Sequence, residues 1–230
     1  MIIKVKRRLN LPFFLKNGFA VEKKLLSISG IKMCRKEVQN LIKSTDSNWL
    51  SNHSATTSNN EHLVIRSIDT PSDLFFEIAR DPILLSIAEK YAKKKVTPLY
   101  VEYFNKPKFC NDWTPPHQDH AFYQDHFDDE LGITFWIALD DCDETNGCMH
   151  MKPTNGRILL KHKPANTLGF GKQLCDEKLQ SYTSISLKSG DALIHGSFTP
   201  HYCPANKTAR SRRAIAVSFR TSEYREQLCK

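Results

Sequence analysis

Two spacings of apolar residues divide the chain near residue 97. Before it, Ile28, Ile31, Val38, Leu41 and Ile42 recur at roughly helical steps, which puts apolar side chains on one helix face. Thr70-Pro71 and Asp81-Pro82 each set a capping side chain before a proline. That pairing predicts a helix start at each, the second running through ILLSIAEKYAKK. Residues 44–61, STDSNWLSNHSATTSNNE, are polar throughout. They read as a surface loop, with a lid as its candidate role.

After residue 97 the apolar positions come in short runs. TPLYVEYF, GITFWIALD, GRILLKH, SISL, DALIHG and RAIAVSFR each read as a strand. Asn155-Gly156, Ser189-Gly190-Asp191 and Pro204-Ala205-Asn206 punctuate them as turns. Helices followed by many short strands predict an α+β fold, with the helices buttressing a sandwich or barrel. No linker divides the chain, so one domain over residues 1–230 is expected.

Composition narrows this further. With 230 residues and 40% hydrophobic content, the chain can bury a core of its own. No apolar run is long enough to span a bilayer. The run Leu11–Leu15 is too short for a signal-peptide core, so a cytoplasmic protein is expected. Seven irregularly spaced cysteines argue against a disulfide framework. Cys142, Cys148 and His150 lack the CxxC pair of a structural zinc site. The net charge of +8 is mostly solvated surface and leaves room for an anionic small-molecule partner. No nucleic-acid motif accompanies it.

The chemistry starts at WTPPHQDH, residues 113–120. In an extended backbone His117 and Asp119 point the same way, so an imidazole and a carboxylate converge. Two ligands hold a metal poorly, and His195 and His201 are the downstream candidates for a third. Arg212 follows His201 by 11 residues and opens RRAIAVSFR. The alternation of Ile215, Val217 and Phe219 would carry Arg212 or Arg213 inward, where an arginine requires a carboxylate. Two histidines and one carboxylate on one face of a metal are the arrangement of non-haem Fe(II) oxygenases.

TPPHQDHAFYQ, then ITFWIALDDCDETNGCMHMKPTNGRILLKH, then GDALIHGSFTPHYCPANKTARSRRAIAVSFR resemble the phytanoyl-CoA dioxygenase family. The resemblance also takes in FFLKNGFAVEKKLLS. It implies a double-stranded β-helix (jelly-roll, cupin-like) core, Fe(II), O2 and 2-oxoglutarate as cosubstrate, with ascorbate in support. His117, Asp119 and His201 match the iron ligands, and His195 becomes a residue lining the site. Arg212 matches the arginine that binds the distal carboxylate of 2-oxoglutarate, and Trp136 a tryptophan beside it. Arg66 matches a basic cosubstrate contact. Cys203 stands where relatives often carry serine, and a thiol is the weaker donor. Asn146-Gly147 reads as a turn requiring positive φ, and Asn206 as an organiser of the loop before Arg212.

The implied reaction is hydroxylation of a small molecule with release of succinate and CO2. Its rivals are an oxygenase acting on nucleic acid or protein, and a non-catalytic jelly-roll binding protein. Besides His195, the expected substrate-lining residues are His120, Phe122, Tyr123 and Gln124.

Overall fold

The computed structural model of the protein describes residues 2–5, 8–123 and 132–221. Within them the helices are α1 (Leu11–Asn17), α2 (Ile28–Ser44), α3 (Ser47–His53), α4 (Asp73–Ala79) and α5 (Pro82–Ala92). The strands are β1 (Phe19–Glu22), β2 (Ser54–Thr56), β3 (His62–Ile65), β4 (Val96–Lys106), β5 (Thr114–His117), β6 (Gly132–Ala138), β7 (Met149–Met151), β8 (His162–Thr167), β9 (Phe170–Leu174), β10 (Thr183–Ile185), β11 (Ala192–Gly196), β12 (His201–Cys203) and β13 (Arg212–Thr221). All strand pairings in the sheets are antiparallel.

The molecule has three layers. A large sheet, in the order β1-β11-β6-β13-β4-β3-β2, lies in the middle. One face packs Phe135, Ile137, Ile194, Ile215, Val217 and Phe219 against Ile31, Val38, Phe75, Ile78, Leu84 and Ile87 of the helices. The other face sets Trp136, Leu193 and Ala216 against Met149, Met151 and Cys203 of a small sheet, ordered β10-β7-β12-β5. Both faces of the large sheet's centre are therefore covered, which is why β6 is buried at every position rather than at alternate ones. The expected buttressing by N-terminal helices is what the layers show.

The helix starts follow local chemistry. Asp81 caps α5, accepting from the Ile83 and Leu84 amides at 2.8 and 3.3 Å. Asp81→Ala is expected to cost about 1 kcal/mol of stability, seen as a lower urea midpoint at unchanged slope. Thr70-Pro71 forms a turn instead of a helix start; α4 begins two residues later, capped by Ser72. Ser72 also donates to Glu37 at 2.7 Å, tying α4 to α2. In α2 the buried stripe is Ile31, Cys34, Val38 and Leu41, while Ile28 is exposed. Ile28 lies roughly 100° round the helix from the centre of that stripe.

Two readings of loop and strand need correction. Residues 44–61 are not an irregular loop: Asp46 caps α3, and β2 adds an edge strand to the large sheet. Their polarity reflects a surface helix. The turn between β8 and β9, with Leu168, Gly169 and Phe170, is what overhangs the central cavity. GRILLKH is no strand before His162, and Ile158, Leu159 and Leu160 are exposed. Its backbone partners are on a side chain: the Gln118 amide donates to Ile158 O at 2.9 Å and accepts from Leu160 N at 2.8 Å. Conversely TPPH forms β5. Its prolines, which cannot donate to a ladder, are tolerated because β5 is the edge of the small sheet.

Candidate active site

The small sheet brings the ends of the motif together. His117 closes β5 and His201 opens β12, and the two are cross-strand partners. Neighbouring strands lie about 5 Å apart, so the imidazoles meet, with ring centres at 4.2 Å. Asp119 begins a 3-10 turn, Asp119–Phe122, that lifts its carboxylate back over the pair. Its Oδ1 lies 3.6 Å from His117 Nε2 and 3.4 Å from His201 Nε2. Among the described residues, this is the group of histidine, cysteine and acidic side chains that could hold a metal, with donor atoms within 4.8 Å of one another.

The donors are oriented from behind. His117 Nδ1 faces Pro115 O at 2.8 Å, and His201 Nδ1 faces Thr199 O at 2.9 Å. A carbonyl accepts only from N–H, so each Nδ1 carries the proton and each Nε2 presents a lone pair. Thr134 Oγ1 donates to Asp119 Oδ2 at 3.1 Å, leaving Oδ1 turned toward the histidines. Burial alone would raise the Asp119 carboxyl, but His201, His117 and His195 together hold it below the usual carboxylate range. Burial, reinforced by His117, pushes His201 well below the usual imidazole value. An ionised Asp119 and a neutral His201 are the forms that bind a divalent cation.

His195 lies on β11 beside this group. Its Nδ1 is 3.8 Å from Asp119 Oδ2, and burial lowers its pKa. It lines the cavity without joining the converging Nε2 atoms.

The cavity runs between the two sheets, with a volume of about 400 Å³. Strand register explains its floor. Inward positions on β4 and β13 pair as Tyr100 with Ser218, Glu102 with Ala216, Phe104 with Ala214, and Lys106 with Arg212. Trp136 pairs with Ala216 and Thr134 with Ser218. The Asp119 end of the floor is thus hydroxylic, the middle is kept open by Ala216, and the far end is cationic. Arg212 is 2% exposed, stands 4.9 Å from the Trp136 ring, and donates to Gly147 O at 2.9 Å. Its Nε has no hydrogen-bond partner, and no carboxylate among the described residues pairs with it. Arg213 points the other way, onto Asp140 at 2.7 Å.

Gly147 is a glycine for two reasons. Its φ is +82°, and a Cβ there would stand 2.6 Å from Pro204 O and 2.8 Å from Lys106 Cδ. Asn206 organises the next loop through Lys106 O, Pro107 O and Arg210 O.

Most residues expected at the site line the cavity: Trp136, Cys203, Phe122, Tyr123 and His195. Arg66 stands at its mouth, 3.6 Å from Glu102, and donates to Gly169 O. His120 does not line it: the 3-10 turn rotates successive side chains by about 120°, and His120 stacks on Phe198 at 3.9 Å. Gln124 lies outside the described residues. Sequence reading missed Tyr100, Glu102 and Lys106. Period-two alternation along TPLYVEYFNK would have found them, had the inward face been known. Burial raises Glu102 to about 7, with Arg66 opposing and Asp119 adding.

Two imidazoles and a carboxylate converging at one end of a cavity between antiparallel sheets define the class of non-haem iron oxygenases. The family model for phytanoyl-CoA dioxygenase (PhyH) matches residues 14–214. The chain belongs to the phytanoyl-CoA dioxygenase family, and is a 2-oxoglutarate-dependent dioxygenase. It is 25% identical to a phytanoyl-CoA dioxygenase of Arabidopsis thaliana, over 90% of this chain and 86% of that one. It is 32% identical to a 2-aminoethylphosphonate dioxygenase of an uncultured bacterium, over 47% of this chain and 42% of that one. The crystal structure of EvdO2 from Micromonospora carbonacea var. aurantiaca shares the fold, at TM-score 0.77 and 22% identity, covering 96% of this chain and 93% of that one. Its complex with 2-oxoglutarate matches at TM-score 0.73.

Proposed function

We propose that residues 1–230 form one catalytic domain with a double-stranded β-helix (jelly-roll) core, which hydroxylates a small molecule using Fe(II) and 2-oxoglutarate. The observation that carries this is the pairing of two ends of one cavity. His117, Asp119 and His201 converge at one end, and at the other stands a buried arginine with no carboxylate partner among the described residues. A lone buried guanidinium is costly, so its unmatched Nε argues for an anionic ligand.

When bound, iron, dioxygen and 2-oxoglutarate supply a two-electron C–H oxidation that yields succinate and CO2. The chain's own residues do the rest. His117 Nε2, His201 Nε2 and Asp119 hold the metal. Arg212 takes the distal carboxylate of the cosubstrate in a charge-assisted pair. Ala216 leaves room for its carbon chain, and Trp136 flanks it. Phe122 and Phe170, with ring centres 5.6 and 5.2 Å from His117, shield the metal end from water. Arg66 at the mouth and the net charge of +8 favour an anionic substrate, in keeping with a relative named for a phosphonate. The cytoplasm is the proposed location, since the six described cysteines are all free thiols.

The test is a substrate screen read by succinate formation, with Fe(II) and ascorbate present. One substrate is expected to raise succinate in step with a product that carries an oxygen atom from labelled O2. Succinate without oxidised product across all classes of small molecule would sink the small-molecule reading.

Asp119 sets the outcome of the reaction. It fills one metal position with a negative charge, so the wild-type product is expected to contain oxygen and no chlorine, even in high chloride. Asp119→Gly is expected to lose hydroxylation without efficient chlorination, because a substrate misplaced by a fraction of an ångström reacts poorly. Mass spectrometry of the products decides it. Undiminished hydroxylation by Asp119→Gly would remove Asp119 from the ligand set.

A further inference from the structure

We propose that Lys106 is a second cosubstrate-binding cation, which takes the distal carboxylate of 2-oxoglutarate together with Arg212. The proposal rests on reading the cavity as a 2-oxoglutarate site, and it adds a residue that neither the motif nor the resemblance supplied.

Four observations carry it. Lys106 is the cross-strand partner of Arg212, so the two cations leave the same end of the same sheet face. It lines the cavity and is only 6% exposed. Its ammonium donates to Asp112 O at 2.9 Å. Of its three donors, that contact uses one, and no carboxylate among the described residues lies within ion-pair distance. Its aliphatic stem packs on Gly147, whose carbonyl accepts from Arg212. One glycine thus seats both cations.

Two buried like charges repel each other and each loses hydration. A fold keeps such a pair when an anion neutralises both. Cys203 sharpens the argument. It stands where the family resemblance calls for a serine hydroxyl, and a thiol donates weakly. Lys106 has Cys203 and Arg212 among its electrostatic neighbours, so its ammonium supplies a donor on the side where the hydroxyl is missing.

The pair also makes cosubstrate affinity depend on pH. Burial brings the Lys106 ammonium down to about 8, Cys203 opposing and Arg212 adding, with Cys110 and Asp112 raising it slightly. A bound carboxylate favours the protonated form. Affinity is therefore full below that value and falls as pH rises through it.

Anaerobic calorimetry on Mn(II)-loaded protein tests the proposal with two probes. One is 2-oxoglutarate. The other is 2-oxobutyrate, which keeps the 2-oxo acid head and lacks the distal carboxylate. Lys106→Met is expected to weaken 2-oxoglutarate binding about 10- to 150-fold, the size of a hydrogen bond to a charged group, and to leave 2-oxobutyrate unaffected. Lys106→Arg is expected to retain most of the affinity. The wild type is expected to bind 2-oxoglutarate more weakly as pH passes through that range, and Lys106→Met to show no such change. Wild-type affinity in Lys106→Met, or an equal loss for both oxo acids, would make Lys106 a structural residue and overturn the proposal. A wild type that binds neither probe would overturn the cosubstrate reading itself.

Discussion

His201→Ala is expected to lose Fe(II) binding and turnover, while His195→Ala keeps one Fe(II) per chain. Both histidines are buried, both lie near Asp119, and their rings are 4.5 Å apart. Orientation separates them. His201 Nδ1 is held by Thr199 O, which leaves Nε2 facing Asp119 and His117. His195 instead turns Nδ1 toward Asp119 and Gly196 O. Disturbing a residue behind a ligand typically costs about 10- to 100-fold in metal affinity, so removing one of three ligands is expected to cost more. Anaerobic Fe(II) titration of folded variants measures it. Metal retained by His201→Ala and lost by His195→Ala would exchange their roles.

Arg212→Ala is expected to raise the KM for 2-oxoglutarate by on the order of 30-fold or more. Removing one member of a buried, hydrogen-bonded charge pair costs about 2–5 kcal/mol. Iron binding is expected to persist, because Arg212 stands at the opposite end of the cavity from the histidines. Arg212→Met adds a second reading. Its guanidinium is buried with Nε unmatched in the free protein. Replacing it with an apolar side chain is therefore expected to raise the melting temperature of the cosubstrate-free protein while weakening cosubstrate binding. Arg213→Ala is expected to do the reverse, lowering stability and leaving KM alone, since Arg213 is paired with Asp140. A KM unchanged in Arg212→Ala would assign the carboxylate to another base.

The convergence of His117 with Asp119 was the easiest part to read, for a local reason. His117 and Asp119 are two residues apart, and their convergence follows from the backbone of a single segment. Arg212 was legible only in part: alternation of Ile215, Val217 and Phe219 left Arg212 and Arg213 both open, and the family resemblance chose between them. The turn at Gly147 and the organising role of Asn206 were also local. The failures have local causes too. GRILLKH has the apolar content of a strand, yet the Gln118 side chain takes the hydrogen bonds a neighbouring strand would have taken. STDSNWLSNHSATTSNNE has the polarity of a loop, yet Asp46 caps a helix within it. His120 was expected to line the cavity, but the 3-10 turn rotates it about 120° from Asp119 and onto Phe198.

By itself the sequence determined the change from helices to strands near residue 97, the two-residue link between His117 and Asp119, and an inward arginine at 212 or 213. Each rests on the periodicity of one segment, which neighbouring residues carry without help. The tertiary structure decided which histidine turns Nε2 toward Asp119 and that Lys106 stands beside Arg212. It also brought Glu102 on the cavity floor within 3.6 Å of Arg66 at the mouth. Those facts depend on register between strands far apart in the chain, and a one-residue slip in any of them would send the same side chains to the opposite face.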